Sequence, residues 1–517
     1  MATPRDGVIP LSGFDVVNVI TSGYFWQLGP DRTLRWALAD GFNEKSWAGA
    51  DIMQQNISAM LDSFANYIDV KFEYTGYFTD PSAAHTAGSD ITISLDDGGG
   101  LFESVPTAWG LGFFPNSSFN SLYTGAPGDI FINTDTDAIN LTFAPGSAGW
   151  HLLIHEIGHA LGLKHTHDDG GTGRPTALEV DLERLDIDWA SMMSYRDEFN
   201  DNLLSWDPAT PMLMDVIGLQ YLYGANLNTN SGNSTLVIED TNDYRTLFDA
   251  GGAADRVDAS SMEEGVEINL LLASQLGSVT KIADADRSSP TLLYWLRGDI
   301  EDATGSEFSD EITGNGANNS FLGRRGDDSM DGGAGTDSAQ YIETTVSQAD
   351  ITVEGDSFQI KSAEGTDSLF NMERLIFTDG NIALDINGVG GKAYRIYQAA
   401  FDRTPDENGV GYWIAQMDQG MEVTEVANRF IDSDEFKSLY GENPSNEQFL
   451  TALYSNVLDR EPDNEGFVWW LDQLENNPEK TPNRVLADFS ESPENQNNVI
   501  DIIGNGFAYT FWDPASL

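Results

Sequence analysis

His155-Glu156-Ile157-Gly158-His159-Ala160-Leu161-Gly162-Leu163-Lys164-His165 sets three imidazoles, one carboxylate and a turning glycine in one short stretch. The pattern predicts a helix over about 147–161. Residues four apart on a helix share a face, so His155 and His159 can hold one metal ion. Glu156 stands beside the first of them, where a carboxylate reaches a water rather than the metal and can act as general base. A third imidazole six residues past His159 can rejoin the pair only if the chain turns sharply, and Gly162 tolerates such a turn. His165 then completes a three-nitrogen set of the kind zinc takes, its fourth position left for a water whose pKa falls to roughly 7. Of the six histidines in the chain, His151, His155, His159, His165 and His167 crowd into this segment. His151 and His167 read as helix-surface and loop residues, because the set is complete without them.

Downstream lies Ser191-Met192-Met193-Ser194-Tyr195. The extended histidine motif followed by Met-Ser-Tyr resembles the metzincin clan of zinc endopeptidases, in its serralysin branch. The resemblance implies an α+β catalytic domain with one catalytic Zn2+ on His155, His159 and His165, and Glu156 as base. It also implies Met193 as the methionine of a tight turn beneath the metal. Tyr195 becomes the phenol that can ligate zinc at rest and stabilise the oxyanion during turnover. The likeness runs over about residues 14–345. Leu34-Arg35-Trp36-Ala37 looks like the family's first strand, and Met214 to Asn226 is similar to its closing helix. Between them Ile52, Ile57, Leu61, Phe64 and Ile68 recur at helical spacing, and Val70 to Tyr74 alternate as a strand. Thr166 stands where serralysins usually carry proline, which changes the adjoining cleft wall and leaves the ligands untouched. Gly110 to Pro115 and Gly128 to Asn133 read as strands near the cleft edge. A peptide laid antiparallel to such an edge gains main-chain hydrogen bonds irrespective of its sequence, so protein and peptide substrates of broad specificity are expected.

The 517 residues allow about three domains. Lys and Arg total 26 against 83 Asp and Glu, a net charge of -57, which argues against nucleic acid and anionic membranes as partners and for counter-cations. Without cysteine there is neither a disulfide nor a cysteine-based latency switch. No apolar run is long enough to span a membrane. Residues 1–10 lack the basic and apolar regions of a cleavable secretory signal, so a secreted protein would need another export route.

Gly305, Gly314, Gly323 and Gly332 recur every nine residues, and Asp310, Asn319, Asp328 and Asp337 follow each by five. Gly326 and Gly335 stand at the fourth position of the last two repeats. These segments resemble RTX nonapeptides. The resemblance implies several structural Ca2+ ions in a parallel β-roll or β-sandwich, with Ile312, Phe321 and Met330 in a thin core. The ligands it implies are Ser306, Phe308 and Asp310; Asn315, Ala317 and Asn319; Arg324, Gly326 and Asp328; Gly333, Gly335 and Asp337. Asp299 and Glu301 stand one repeat earlier, and Asp249, Gly251, Gly252 and Asp255 resemble the family's first calcium turn. Clustered carboxylates repel when calcium is scarce, so the region should fold where the ion is abundant. RTX relatives leave the cell by type I secretion, which implies an extracellular location and a transporter as partner; Phe511 to Leu517 is weakly like their terminal hydrophobic motif.

Asp402-Arg403-Thr404-Pro405-Asp406 with Gly409, Tyr412 and Trp413 recurs as Asp459-Arg460-Glu461-Pro462-Asp463 with Gly466, Trp469 and Trp470, an offset of 57 residues from Asp402 to Asp459. Each unit reads as short helices joined by a loop in which proline opens a turn and aspartate caps it. The tryptophans are assigned to core packing. This part resembles a helical family of unknown function found near the C-termini of secreted RTX proteins and adhesins, and attachment to a cell surface or matrix is the role expected of it.

The expected chain is thus multidomain: an α+β metzincin domain over 1–235, with 1–14 as propeptide or N-terminal arm; a calcium-binding β-roll over 236–388; and an all-α domain over 389–517 with units near 393–436 and 450–495. The expected function is a secreted, calcium-stabilised zinc endopeptidase. The competing class is a calcium-dependent surface or adhesion protein with a vestigial peptidase domain; Glu156 and Tyr195, both kept, speak against it.

Overall fold

A computed structural model describes residues 2–512 apart from 43–44, 98–99, 141–142, 197–206, 242, 272–277 and 283–291. The last five residues of the C-terminal motif, Asp513 to Leu517, therefore lie outside the described residues. The chain forms two compact units, one of 1–258 with 267–300 and one of 259–266 with 301–517.

In the first unit a five-stranded sheet runs in the order Lys71–Phe78, Thr33–Ala39, Ile91–Asp96, Ile130–Asn133, Gly110–Gly112. The first four strands are parallel. Gly110–Gly112 pairs antiparallel with Ile130–Asn133 and forms the free edge, so the second expected strand lies one position inside it. Ile91 to Asp96 is buried throughout, as a strand covered on both faces must be. Helices Ala50–Tyr67, Ala148–Ala160 and Leu213–Tyr223 share one core with the sheet. Ile57, Leu61 and Phe64 are buried as their spacing predicts, while Ile52 is 66% exposed. An N-terminal arm is docked: Thr3–Pro4 pairs antiparallel with Trp26–Gln27, and Ile9 N–H reaches the Gly23 carbonyl.

In the second unit Asp302–Thr304, Glu311–Thr313, Ser320–Leu322, Ser329–Asp331 and Ser338–Gln340 alternate between two sheets. Residues 18 apart pair in parallel, Ala303 with Phe321 and Ile312 with Met330, so each sheet takes every second nine-residue repeat. Ile312, Phe321 and Met330 are all buried, as expected. Antiparallel hairpins then extend both sheets, Asp350–Glu354 with Ser357–Lys361 on one side and Arg374–Ile376 with Asn381–Ala383 on the other, so strand orientation is mixed.

Eight helices between Val389 and Ile503 form the C-terminal helical region. Its duplicated loop is explained by local chemistry. Asp402 and Asp459 turn the chain at φ 49° and 51°. Asp406 and Asp463 cap the next helices by accepting the Gly409 and Gly466 N–H groups, each at 2.7 Å. Arg403 and Arg460 then pair with Glu435 and Glu494 at 2.8 and 2.6 Å. Trp413 and Trp470 pack against the helical core, whereas Trp469 is 51% exposed. Among the described residues no helix is long and apolar enough to cross a membrane.

Candidate metal centre

Ser147 starts the histidine helix by accepting the Trp150 N–H at 3.3 Å. Gly162 ends it. Its φ is +101°, and a Cβ there would lie 2.1 Å from the Tyr24 carbonyl oxygen, so only glycine allows the turn that carries His165 back. The three imidazoles converge: His165 Nε2 lies 3.2 Å from His155 Nε2 and 3.1 Å from His159 Nε2.

The outer nitrogens explain why. His155 Nδ1 donates to the Met192 carbonyl at 2.7 Å, His159 Nδ1 to the Leu163 carbonyl at 2.9 Å, and His165 Nδ1 to Asp168 Oδ2 at 2.6 Å. Each ring's proton is thereby held outward and its Nε2 lone pair is aimed at the common point. Burial and the neighbouring imidazoles push the His155 pKa well below its usual value, and burial takes that of His159 to about 3. Imidazole nitrogens converging on one point in this way leave a place for a cation between them, and the donor set fits zinc.

Glu156 is buried against the edge strand, where burial raises its pKa to about 8 although the Gly112 N–H favours the carboxylate. Met193 lies under the helix: a Cβ at Gly158 would come within 2.6 Å of its sulfur, so this glycine admits the methionine between the two helical histidines. Tyr195 is 68% exposed, with its phenol oxygen 2.8 Å from His165 Nε2. His167 stacks on His165 with ring centroids 5.1 Å apart. His151 is no free surface residue, since its Nδ1 lies 2.9 Å from Asp207 Oδ1. A cleft of about 680 Å³ opens beside Glu156, lined by Val105, Trp109, Leu152, His155 and Tyr195 among others.

Two supporting groups escape any motif. Asp215 is fully buried and accepts from Ser191 Oγ (2.7 Å), Met192 N–H (2.8 Å) and Met212 N–H (2.9 Å), which ties the methionine turn to the following helix. Lys164, also buried, donates to the carbonyls of His165 (3.0 Å) and Asp168 (2.6 Å) and closes the loop behind His165. Their only sequence signal is a charged residue within an apolar run.

In the repeats the sixth-position side chains stack in two columns. Asp310 N–H donates to Asp328 Oδ1 (2.9 Å), and Asn319 N–H donates to Asp337 Oδ1 (2.6 Å). Asp310 is satisfied within its turn by Ser306 N–H and Oγ at 2.7 and 2.9 Å, and Asn319 by Asn315 N–H at 2.9 Å. Asp328 and Asp337 each keep one buried oxygen without a hydrogen-bond partner. Burial raises their pKa values to about 8 and about 7. Gly326 and Gly335 adopt φ +141° and +145°, while Arg324 takes φ 73°. Phe308 and Ala317 lend backbone carbonyls that closely approach Gly326 and Gly335, and Gly333 sits against the Asn315 carbonyl. Asp249, Gly251, Gly252, Asp255 and Asp299 belong to the first unit, where Gly251 N–H donates to Asp249 (2.6 Å) and Ser234 N–H to Asp255 (2.7 Å). Glu301 belongs to the second, and its carbonyl accepts from Asn319 Nδ2 at 2.6 Å.

Comparison with known proteins agrees with this geometry. The chain is 28% identical over 299 residues to a serralysin of Proteus mirabilis, covering 54% of this chain and 57% of that protein. It is 30% identical over 197 residues to the metalloprotease AprA of Pseudomonas entomophila (34% and 39%) and 33% over 184 residues to serralysin C of Dickeya chrysanthemi (32% and 35%). It thus spans between about a third and three-fifths of the length of these relatives. By this similarity the chain resembles the serralysin metalloproteases over as much as about half of its length. Residues 427–499 match the family described as "Domain of unknown function (DUF4214)".

Proposed function

We propose that the protein is a secreted zinc endopeptidase that cleaves extracellular proteins. The observation that carries this reading is the convergence of three imidazole nitrogens beside a buried carboxylate at the edge of a sheet. His155, His159 and His165 would hold the zinc. When bound, zinc supplies a Lewis acid that acidifies water and polarises a carbonyl. Glu156 accepts the proton of the attacking water and delivers it to the leaving amine. Gly110–Gly112 orients the peptide by main-chain hydrogen bonds, which favours broad specificity. The Tyr195 phenol, exposed at the mouth of the site, donates to the developing oxyanion, and Met193 supports the ligands from below.

The repeats are read as a calcium-binding roll over roughly 236–388, between a peptidase domain and a helical domain. Asp328 and Asp337, each with a buried unbonded oxygen, support it. Calcium-dependent folding would keep the enzyme inactive before export through a type I system. Attachment to a surface or matrix is the proposed role of the helical domain.

Zinc content and casein cleavage, measured in calcium for the native chain and Glu156→Gln, test the mechanism. Zinc in both with activity only in the native chain is expected; equal activity, or a native chain without zinc, would overturn it.

A further inference from the structure

Ser362 to Asp367 lies outside the nine-residue register, yet it repeats the form of a repeat turn. Gly365 has φ +156°, beside +141° at Gly326 and +145° at Gly335. Asp367 follows Gly365 by two residues, as Asp328 and Asp337 follow their glycines. The segment is stacked on the turn from Arg324 to Asp328. Gly326 N–H donates to the Glu364 carbonyl (2.9 Å), Thr366 N–H to Asp327 Oδ1 (2.8 Å), and Asp328 N–H to Asp367 Oδ1 (3.0 Å). The last bond is the one by which Asp310 N–H reaches Asp328 Oδ1 (2.9 Å) and Val266 N–H reaches Asp310 Oδ1 (2.7 Å). Asp367 is therefore the next carboxylate of the same column. A Cβ at Gly365 would lie 1.5 Å from the Gly326 carbonyl oxygen, so the two turns touch backbone to backbone.

Asp328 and Asp367 are 2% and 1% exposed, and Asp328 Oδ2 has no hydrogen-bond partner. Two carboxylates buried next to each other without a cation are costly. Carboxylate and carbonyl oxygens are the donors a hard divalent ion takes, and calcium tolerates the irregular arrangement that two stacked turns offer.

We propose that Ser362 to Asp367 is a further calcium-binding turn, and that a Ca2+ ion lies between it and Arg324 to Asp328, held by Asp328, Asp367 and turn carbonyls. This rests on the calcium reading above and adds to it a turn that the hairpin from Asp350 to Lys361 separates from the repeats. The Tyr341 phenol, 3% exposed, lies close enough to Asp367 to feel its charge and supplies a spectroscopic reporter.

Calcium bound per full-length chain is counted by titration calorimetry, after chelation and dialysis, for the native protein and Asp367→Asn, which keeps an acceptor for the Asp328 N–H. The variant should bind one ion fewer. With terbium in place of calcium, Tyr341→Phe should lower the sensitised emission of the native protein but leave that of Asp367→Asn unchanged. If Asp367→Asn does not fold in calcium, the terbium emission of Tyr341→Phe alone decides. Equal calcium counts and affinities, or emission indifferent to Tyr341, overturn the extra turn while the calcium reading stands. A native chain that binds no calcium overturns both.

Discussion

Asp168→Ala tests how His165, the third of the proposed zinc ligands, is held. His155 and His159 are oriented by backbone carbonyls, at 2.7 and 2.9 Å, whereas His165 relies on a side chain, Asp168 Oδ2 at 2.6 Å. Burial works against the charge on Asp168, but the bonds from His165 and the Gly170 N–H outweigh it and hold the pKa at about 2, so the carboxylate is ionised near neutral pH. Removing it leaves the His165 ring free to rotate and its Nδ1 proton unassigned. Loss of such an outer partner typically weakens metal affinity about 10–100-fold, or roughly 1.4–2.7 kcal/mol. The zinc dissociation constant would be measured by competition with a chromogenic chelator in excess calcium. Asp168→Asn, which still accepts from the ring, should fall between native and alanine. Asp169→Ala is the control, because Asp169 Oδ1 accepts the Gly171 N–H at 2.8 Å and does not touch the ring. An Asp168→Ala constant within about twofold of native, or an equal loss in Asp169→Ala, would refute the orienting role.

Asp215→Ala leaves Met192 N–H, Met212 N–H and Ser191 Oγ without their buried acceptor, so denaturant unfolding should show a loss of about 3 kcal/mol or more. In chelator, the repeat region should be more stable at pH 5 than at pH 8. Burial raises Asp310 and Asp367 to about 6, Asp337 to about 7 and Asp328 to about 8 in the folded state, from 3.8. Their raised values favour the fold at low pH, and that contribution is lost as pH rises through them. Thermal melts monitored by circular dichroism check this, and saturating calcium should shrink the difference. Gly158→Ala should lower stability and zinc retention together, since its Cβ would meet the Met193 sulfur at 2.6 Å; a melt and a zinc assay read both.

The histidine helix, its glycine turn and the nine-residue register of the repeats were legible because each follows from a local rule. Four-residue spacing puts two imidazoles on one helical face, positive φ selects glycine, and a nine-residue period places like residues in like positions. The duplicated Asp-Arg-x-Pro-Asp loop was legible for the same reason, its aspartates serving as helix caps. His151 shows where such reasoning stops. It read as a surface residue, and Asp207, to which it is bonded, lies 56 residues away.

The groups that hold the site were decided in three dimensions. Asp215 reaches Met192 across 23 residues, and Asp367 reaches Asp328 across 39, over an inserted hairpin that breaks the period. No spacing rule connects such pairs, because their contact exists only after apolar burial has chosen which segments pack together. Residue type and local periodicity thus sufficed to gather the three histidines and Glu156. Long-range packing determined which carboxylate anchors the turn at Met192 and which carboxylates crowd one another in the repeats, because the energy of a buried charge depends on neighbours that the chain order does not name.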